Sequence, residues 1–244
     1  GNYLQDNFQL TTQIYSNTQI SSYYANEISE SEKIKLFIVE ELIPNNPELK
    51  YILILGDENS FPPIYSDCLF GAGQICPSDD LYAQIEPTSI IPSISFGRIP
   101  SSNPDEVAKF VTKLSTFLLN PTIGNWRDKA ILIADDENKN NSSQSSEIQH
   151  TSNSDILYDI LSPYMNVETL YGINYEPKTT SNGLFHSELN QEIINNINNG
   201  VAIINYIGHG DESSLSAEKI LDMERDMSQI SVAENKLGLW IVGT

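Results

Sequence analysis

The sequence predicts an α/β fold in which helices cover both faces of a mostly parallel β-sheet. Short apolar segments alternate along the chain with amphipathic segments of helical period. Several of the short segments, such as Ala130–Ile133 and Val201–Ile207, are continuous apolar runs, which is typical of strands buried on both faces. With 244 residues, of which 39% are hydrophobic, the chain is long enough to form one domain with a substantial core.

Seven segments are predicted as strands because they are short, apolar and bounded by polar or turn-forming residues. In chain order they are Gln9–Tyr15, Tyr51–Leu55, Ile94–Phe96, Ala130–Ile133, Val167–Leu170, Val201–Ile207 and Leu239–Val242.

The helices predicted between these strands are marked by their ends. Ser29–Glu32 has the pattern of a capping box, and apolar residues follow it at helical spacing. Asn103-Pro104 and two acidic residues mark the start of a second helix. A third apolar stripe ends at Asn199-Gly200, a favourable helix end, and a shorter helix is predicted around Leu157–Leu161.

Two polar segments, 56–93 and 134–153, interrupt this alternation, and long loops in a compact domain are usually functional or disordered. The first contains both cysteines, Cys68 and Cys76, which are expected to form one local disulfide or to be two unreactive thiols.

The formal net charge of -20 excludes some classes of protein. A chain this acidic repels phosphate backbones, so a general nucleic-acid binder is not expected. The same charge disfavours adhesion to anionic membranes. No apolar run is long enough to predict a transmembrane helix.

Polar residues directly after three predicted strands are the candidates for a functional site, because ligands of parallel sheets bind beyond the carboxyl ends of the strands. These residues are 56–58, 134–137 and 208–212. His209 lies between two glycines, where an imidazole is placed for acid–base chemistry, although a simple turn explains the tripeptide equally well. His150 is expected in the long polar loop, facing a site, and His186 at the surface.

The pair Asp135-Asp136 has three interpretations. It binds Mg²⁺ for phosphoryl transfer, in a receiver-like site that also uses Asp57, or it orients a catalytic histidine. In the third interpretation these residues are ordinary solvated carboxylates.

Taken together, four segments resemble the gingipain family of cysteine peptidases, which has a caspase-like α/β fold. They are Tyr51–Asp57 (YILILGD), Ile94–Pro100 (ISFGRIP), Ile131–Asp136 (ILIADD) and Ile203–Gly210 (IINYIGHG). Within this family the run NYIGHGDESSLSAEKIL is similar to the sortase of the bacterial type IX secretion system, whereas EIQH (Glu147–His150) is nearer to the secreted gingipains.

The resemblance implies roles for five residues. His209 is the catalytic histidine, Gly210 donates its backbone N–H to the oxyanion hole, and Asp136 orients the histidine. Gly208 and Glu147 contact the substrate, with Glu147 at the base of the pocket for a basic side chain.

The family's nucleophile is a cysteine after the strand that follows the glycine–histidine–glycine loop. That strand is Leu239–Val242, so the cysteine is expected directly after Thr244. Residues 1–244 are therefore expected to be a single but incomplete catalytic domain that lacks its first strand and its nucleophile.

The resemblance also implies a partner, a location and an ion. A sortase of this kind cleaves C-terminal sorting domains from protein substrates at the outer surface of a Gram-negative bacterium, beside outer-membrane secretion partners. No cofactor is required for catalysis. The family's structural Ca²⁺ has candidate oxygen ligands in Ser78–Asp80, although ordinary surface acids explain these residues at least as well. A non-catalytic binding module with the same fold is the alternative.

Overall fold

The computed structural model describes residues 2–67, 73–86, 89, 91–135, 149–180, 183–232 and 235–243. The backbone divides into two compact units, Gly1–Phe110 and Val111–Thr244. The expectation of one incomplete catalytic domain over residues 1–244 stays a prediction.

The first unit contains short helices, one parallel pair of strands and one antiparallel pair. Strand β1 pairs with β4 in parallel, and β2 pairs with β3 in antiparallel orientation. The elements are α1 (Asn2–Phe8), α2 (Asn17–Ser21), α3 (Glu30–Leu36), a π-helical segment (Phe37–Leu42), α4 (Ile43–Asn45), β1 (Tyr51–Leu55), β2 (Ile64–Asp67), β3 (Ile75–Ser78), α5 (Asp80–Ala83), β4 (Ser95–Ile99) and the first part of α6 (Pro104–Leu119), which continues into the second unit.

The start of α3 confirms the predicted helix signal, because the Ser29 hydroxyl accepts a hydrogen bond from the Glu32 N–H at 3.2 Å. The strand predicted at Gln9–Tyr15 is wrong, since residues 9–16 are irregular. The aromatic ring of Tyr15 instead packs edge-on against Phe37, with ring centroids 5.0 Å apart. The apolar side chain that suggested a strand is thus used to cover a helix.

Strand β1 is buried on one face only, which differs from the predicted burial on both faces. Ile54 packs with Phe37 and Ile38 in the core of the first unit, whereas Tyr51, Leu53 and Leu55 are 53–60% exposed. Among the described residues of this unit, the helical side chains that pack with β1 lie on the face that carries Ile54.

The second unit contains a four-stranded parallel sheet. Its elements are β5 (Lys129–Ala134), α7 (Gln149–Leu161), β6 (Asn166–Tyr171), β7 (Lys178–Thr180), β8 (Gly183–Phe185), α8 (Ser187–Asn199), β9 (Ile203–Ile207), β10 (Ser214–Leu215), β11 (Leu221–Asp222), α9 (Met223–Asp226) and β12 (Leu239–Gly243). Short 3₁₀ helices precede β5, follow β6 and follow α9. The strand order is β12-β9-β5-β6, and all three pairings are parallel.

Helices pack on both faces of this sheet, as the sequence predicts. Ile131 and Ile133 point to one face, where they pack with Ile193 and other residues of α8. Leu132 and Ala134 point to the opposite face, where Leu157 and Leu161 of α7 pack against their cluster. Residues 130–134 are completely buried, which explains the continuous apolar run of β5.

The sequence predicts the C-terminus of α8 correctly but not the N-terminus of α7. Helix α8 ends before Gly200, whose φ of 93° lies in the left-handed region that favours glycine. Helix α7 begins at Gln149, well before the apolar residues that predict it, because its first turns are polar and carry no apolar period.

We expect Ile133→Ala to lower the free energy of unfolding by about 2–5 kcal/mol, because it leaves a cavity among fully buried side chains. The matched control is Ile156→Ala on α7, where the side chain is 58% exposed and the change should stay within about 0.5 kcal/mol. Urea unfolding followed by circular dichroism measures both. Equal losses in the two variants would contradict the assignment of β5 to the core.

Candidate active site

The site is built where the neighbouring parallel strands β5 and β9 end. Ala134 is paired with Ile207, the last residues of the two strands. The Asp135 N–H extends the ladder by donating to the Ile207 carbonyl at 3.1 Å. Asp135 and the Gly208-His209 turn therefore leave the sheet side by side at its carboxyl edge.

A single carboxylate oxygen holds His209. Asp135 Oδ2 lies 3.0 Å from His209 Nδ1 and accepts the His209 backbone N–H at 3.1 Å. An ionised carboxylate only accepts hydrogen bonds, so Nδ1 carries the proton and Nε2 is left as the basic nitrogen. The Asp135 side chain is 3% exposed and the His209 side chain 50%, so a buried acid orients an accessible imidazole.

Gly208 has no room for a side chain. A Cβ at this position would lie 2.5 Å from the Tyr206 hydroxyl and would also overlap the Cβ of Asp135. The turn from β9 into His209 therefore requires glycine for the close approach of these two side chains. This is the physical reason for the first glycine of the motif.

The backbone carbonyl of His209 is held by two donors. The Tyr206 hydroxyl donates to it, and so does the Ser216 N–H at 2.7 Å. Burial, and then the nearby charge of Asp135, raise the pKa of the Tyr206 hydroxyl well above its usual value, so it stays protonated and remains a donor. The histidine is thereby fixed through both its ring and its backbone.

The backbone N–H of Gly210 points away from Leu215, the residue opposite it in the following turn of the chain. Gly210 and Leu215 form an antiparallel bridge, flanked by hydrogen bonds from Asp211 N–H to Ser214 O and from Ser216 N–H to His209 O. This pattern makes Gly210 and Leu215 a non-hydrogen-bonded pair, in which N–H groups point outward. An outward N–H beside an imidazole is what an oxyanion hole requires.

Asp211 closes the turn after the motif. Its Oδ1 accepts the Ser213 N–H at 2.8 Å, the Ser213 hydroxyl at 3.0 Å and the Ser214 N–H at 2.7 Å. These hydrogen bonds lower the pKa of the Asp211 carboxyl to about 2. The turn that presents Gly210 is thus stabilised by its own side chain.

His150 adds a second imidazole to the site. It lies in the first turn of α7, and its ring meets that of His209 edge to face, with centroids 5.1 Å apart. Each of Asp135, His150 and His209 offers one nitrogen or oxygen, and these atoms all lie within 4.8 Å of one another. His150 thus faces the site as expected, but from a helix and not from a loop.

The structure brings together only part of the set that the sequence analysis singled out. Gly208, His209 and Gly210 form one continuous site, whereas Asp136 and Glu147 lie outside the described residues. The histidine is held by Asp135, the other member of the acidic pair. His186, expected at the surface, is 1% exposed and precedes α8 in the core.

The expected calcium ligands are arranged differently. Both carboxylate oxygens of Asp79 accept hydrogen bonds from the Arg98 guanidinium, at 2.6 and 2.7 Å. The negative charge of this carboxylate is therefore already paired with a cation. Asp57, an expected Mg²⁺ ligand, instead accepts the Ser60 N–H at 2.9 Å. Cys76 is in a disulfide bond, which favours the first of its two interpretations.

None of the helices that the structure describes has the length and apolar character needed to span a bilayer.

Comparison with known proteins places the chain in a family. The model described as "Peptidase family C25" matches residues 2–244. Gingipain R2 of Porphyromonas gingivalis is 24% identical over 186 residues, which is 74% of this chain and 22% of the relative. Gingipain R1 of the same species has the same identity over 16% of its length. The chain thus spans less than a quarter of the curated relatives it matches.

Two solved structures share the fold. A complex of P. gingivalis RgpB pro- and mature domains has a TM-score of 0.69 at 20% identity, over 98% of this chain and 50% of that chain. The Arg-specific cysteine proteinase gingipain R has a TM-score of 0.65 at 19% identity, over 91% and 46% of the two chains. These similarities confirm the predicted caspase-like α/β fold.

We expect Gly208→Ala to destabilise the second unit by about 1–3 kcal/mol, because the new methyl group forces Tyr206 or Asp135 to move. The matched control is Gly243→Ala, where the nearest atom to a Cβ is 3.8 Å away and the change should be within about 0.5 kcal/mol. Thermal unfolding and the chemical shifts of the His209 ring measure the two effects. A stable Gly208→Ala variant with an unchanged His209 ring would show that the close approach is not required.

Proposed function

Because the chain belongs to peptidase family C25, we propose that it forms part of a cysteine peptidase in which His209 is the catalytic histidine. The observation that carries this proposal is the hydrogen bond between His209 Nδ1 and the buried Asp135 carboxylate, at 3.0 Å. It leaves Nε2 as a base at the open carboxyl edge of a parallel sheet, where α/β proteins bind their ligands.

The position of β12 supports a thiol nucleophile. β12 runs parallel beside β9 with Gly243 paired with Ile207, and the Gly208 N–H donates to the Gly243 carbonyl at 3.1 Å. A cysteine that follows β12 therefore leaves the sheet at the same edge as His209. This agrees with the cysteine expected directly after Thr244.

The proposed reaction uses these groups in sequence. His209 Nε2 accepts the thiol proton, and the thiolate sulfur attacks the carbonyl carbon of the scissile peptide bond. The negative charge that develops on the carbonyl oxygen is stabilised by the outward N–H of Gly210. The imidazolium, stabilised by Asp135, then gives its proton to the leaving amine as the carbon–nitrogen bond breaks. Water or another nucleophile releases the acyl group from sulfur.

The same residues allow two alternative functions. A non-catalytic binding module keeps the fold and lacks the cysteine. A Mg²⁺-dependent phosphotransfer site assigns no role to His209, whereas Asp135 is committed to that histidine through two hydrogen bonds. The hydrogen bonds between Asp135 and His209 therefore favour the peptidase over the phosphotransfer site.

We also propose the finer assignment to a type IX secretion sortase at the surface of a Gram-negative bacterium. Its support is the run of residues 205–221, which resembles that sortase. In this proposal the substrates are proteins with C-terminal sorting domains and the partners are outer-membrane components. Structural calcium also remains a proposal, with Ser78–Asp80 as its candidate ligands.

We expect His209→Ala to lower kcat/KM by about 10²–10⁴-fold, because it removes the general acid–base group. Asp135→Asn should lower it by up to about 10⁴-fold, since an amide favours the wrong imidazole tautomer. The matched control is Asp159→Asn, which removes the same charge from an exposed position on α7. Peptide cleavage by a protein that continues through the expected cysteine measures all three.

Retention of normal cleavage by His209→Ala would overturn the assignment. Serine, alanine or glycine in place of the expected cysteine would favour the binding module. Iodoacetamide should inactivate the peptidase by alkylating that one cysteine, which peptide mass spectrometry locates.

The sortase assignment predicts a preference among substrates. We expect a protein with a C-terminal sorting domain to be cleaved and its acyl group to be transferred to an added amine. This reaction should be faster than the hydrolysis of short arginine peptides at the same concentration. Mass spectrometry of the products distinguishes amide formation from hydrolysis. Hydrolysis alone, with arginine peptides preferred, would instead indicate a secreted protease.

A further inference from the structure

The second imidazole at the site has no part in the proposed peptidase reaction. His150 lies in the first turn of α7, a different element from the strand ends that carry Asp135 and His209. All three nevertheless bring one nitrogen or oxygen within 4.8 Å of each other. Among the described residues, this is the only group of three or more histidine, cysteine or acidic side chains with such an arrangement.

The spacing suits a small transition-metal ion. Zinc binds histidine nitrogen and carboxylate oxygen at about 2.0–2.1 Å, so two ligands of a tetrahedral ion lie about 3.3 Å apart. One ligand atom from each of the three side chains lies within 4.8 Å of the other two, so the group is close to this spacing without an ion. An ion bound by all three would draw the two imidazole rings and the carboxylate closer together.

A separate observation points to a missing ligand. Asp135 is 2% exposed, yet its Oδ1 is buried and has no hydrogen-bond partner. A buried carboxylate oxygen without a partner carries a desolvation cost that a cation relieves. Both hydrogen bonds from His209 go to the other oxygen, Oδ2, so Oδ1 is available to an ion.

The burial of the three residues indicates that the site is open to solvent on one side. Asp135 is buried, His150 half-buried and His209 exposed, so an ion reaches the group from solvent and keeps water as a further ligand. Two imidazoles and one carboxylate favour zinc, copper or nickel. Calcium prefers six to eight oxygen ligands and is not expected here.

We infer that Asp135, His150 and His209 form a binding site for a divalent transition-metal ion, of which zinc is the representative. A bound ion engages the imidazole of His209 and the carboxylate that orients it. If the proposed peptidase function holds, on which this consequence rests, the ion is a reversible inhibitor, because His209 then no longer transfers protons. The net charge of -20 raises the local concentration of cations around the chain.

Isothermal titration of the chain, without a histidine tag, with zinc chloride tests the site. We expect one zinc ion per chain, and at least about tenfold weaker binding in His150→Ala, since the loss of even an outer-shell partner costs 10–100-fold. The matched control is Gln149→Ala, an exposed neighbour in the same helical turn, which should bind zinc as the wild type does. Excess calcium should not displace the zinc.

Unchanged zinc affinity in His150→Ala, or no zinc binding by the wild type, would overturn the inference. Because the titration uses no substrate, its result is independent of whether the peptidase proposal is correct. Inhibition of cleavage by zinc is a separate measurement.

Nuclear magnetic resonance of the wild-type chain tests the same site without any substitution, so folding is not disturbed. The chain contains three histidines, and His186 is buried in the core of the second unit. We expect zinc to shift the ring signals of His150 and His209 and to leave those of His186 unchanged. Shifts confined to His209, or no shifts, would contradict a shared site.

Discussion

The parallel pairing of β5 with β9 is the constraint on which the site depends. Both strands end at the same level, so the residue after each of them is brought to one edge of the sheet. Asp135 and His209 meet there because the ladder continues for one further hydrogen bond, from the Asp135 N–H to the Ile207 carbonyl. A register shift of one residue would turn Asp135 toward the other face and separate the acid from the histidine.

The buried core makes this register the stable one. Ile131 and Ile133 face α8, while Leu132 and Ala134 face α7, so each of these four positions has an apolar environment on its own side. The same packing leaves Asp135 as the first polar residue of the strand, in a place where water is largely excluded. The hydrogen bonds from His209 satisfy one of its oxygens, whereas the second oxygen is buried without a hydrogen-bond partner.

The sequence predicts every strand of the two parallel sheets and the longest helices, but not the short antiparallel strands or the short helices. Capping signals located the start of α3 and the end of α8, because those signals act within a few residues. The start of α7 was not predicted, since its first turns are polar. Tyr51–Leu55 reads as a fully buried strand, yet alternate side chains of β1 are exposed. Composition cannot report which faces of a strand receive a covering layer.

The sequence by itself determined the α/β alternation, the strand that ends in Gly208-His209-Gly210 and the acidic pair that follows β5. These are local patterns, and their physical causes lie within a few residues of each other. Only the tertiary structure decided that Asp135 holds the histidine, that Gly208 is required by the approach of Tyr206, and that His150 joins the site. Each of these depends on strand register or helix docking between residues far apart in the chain, which no local pattern encodes.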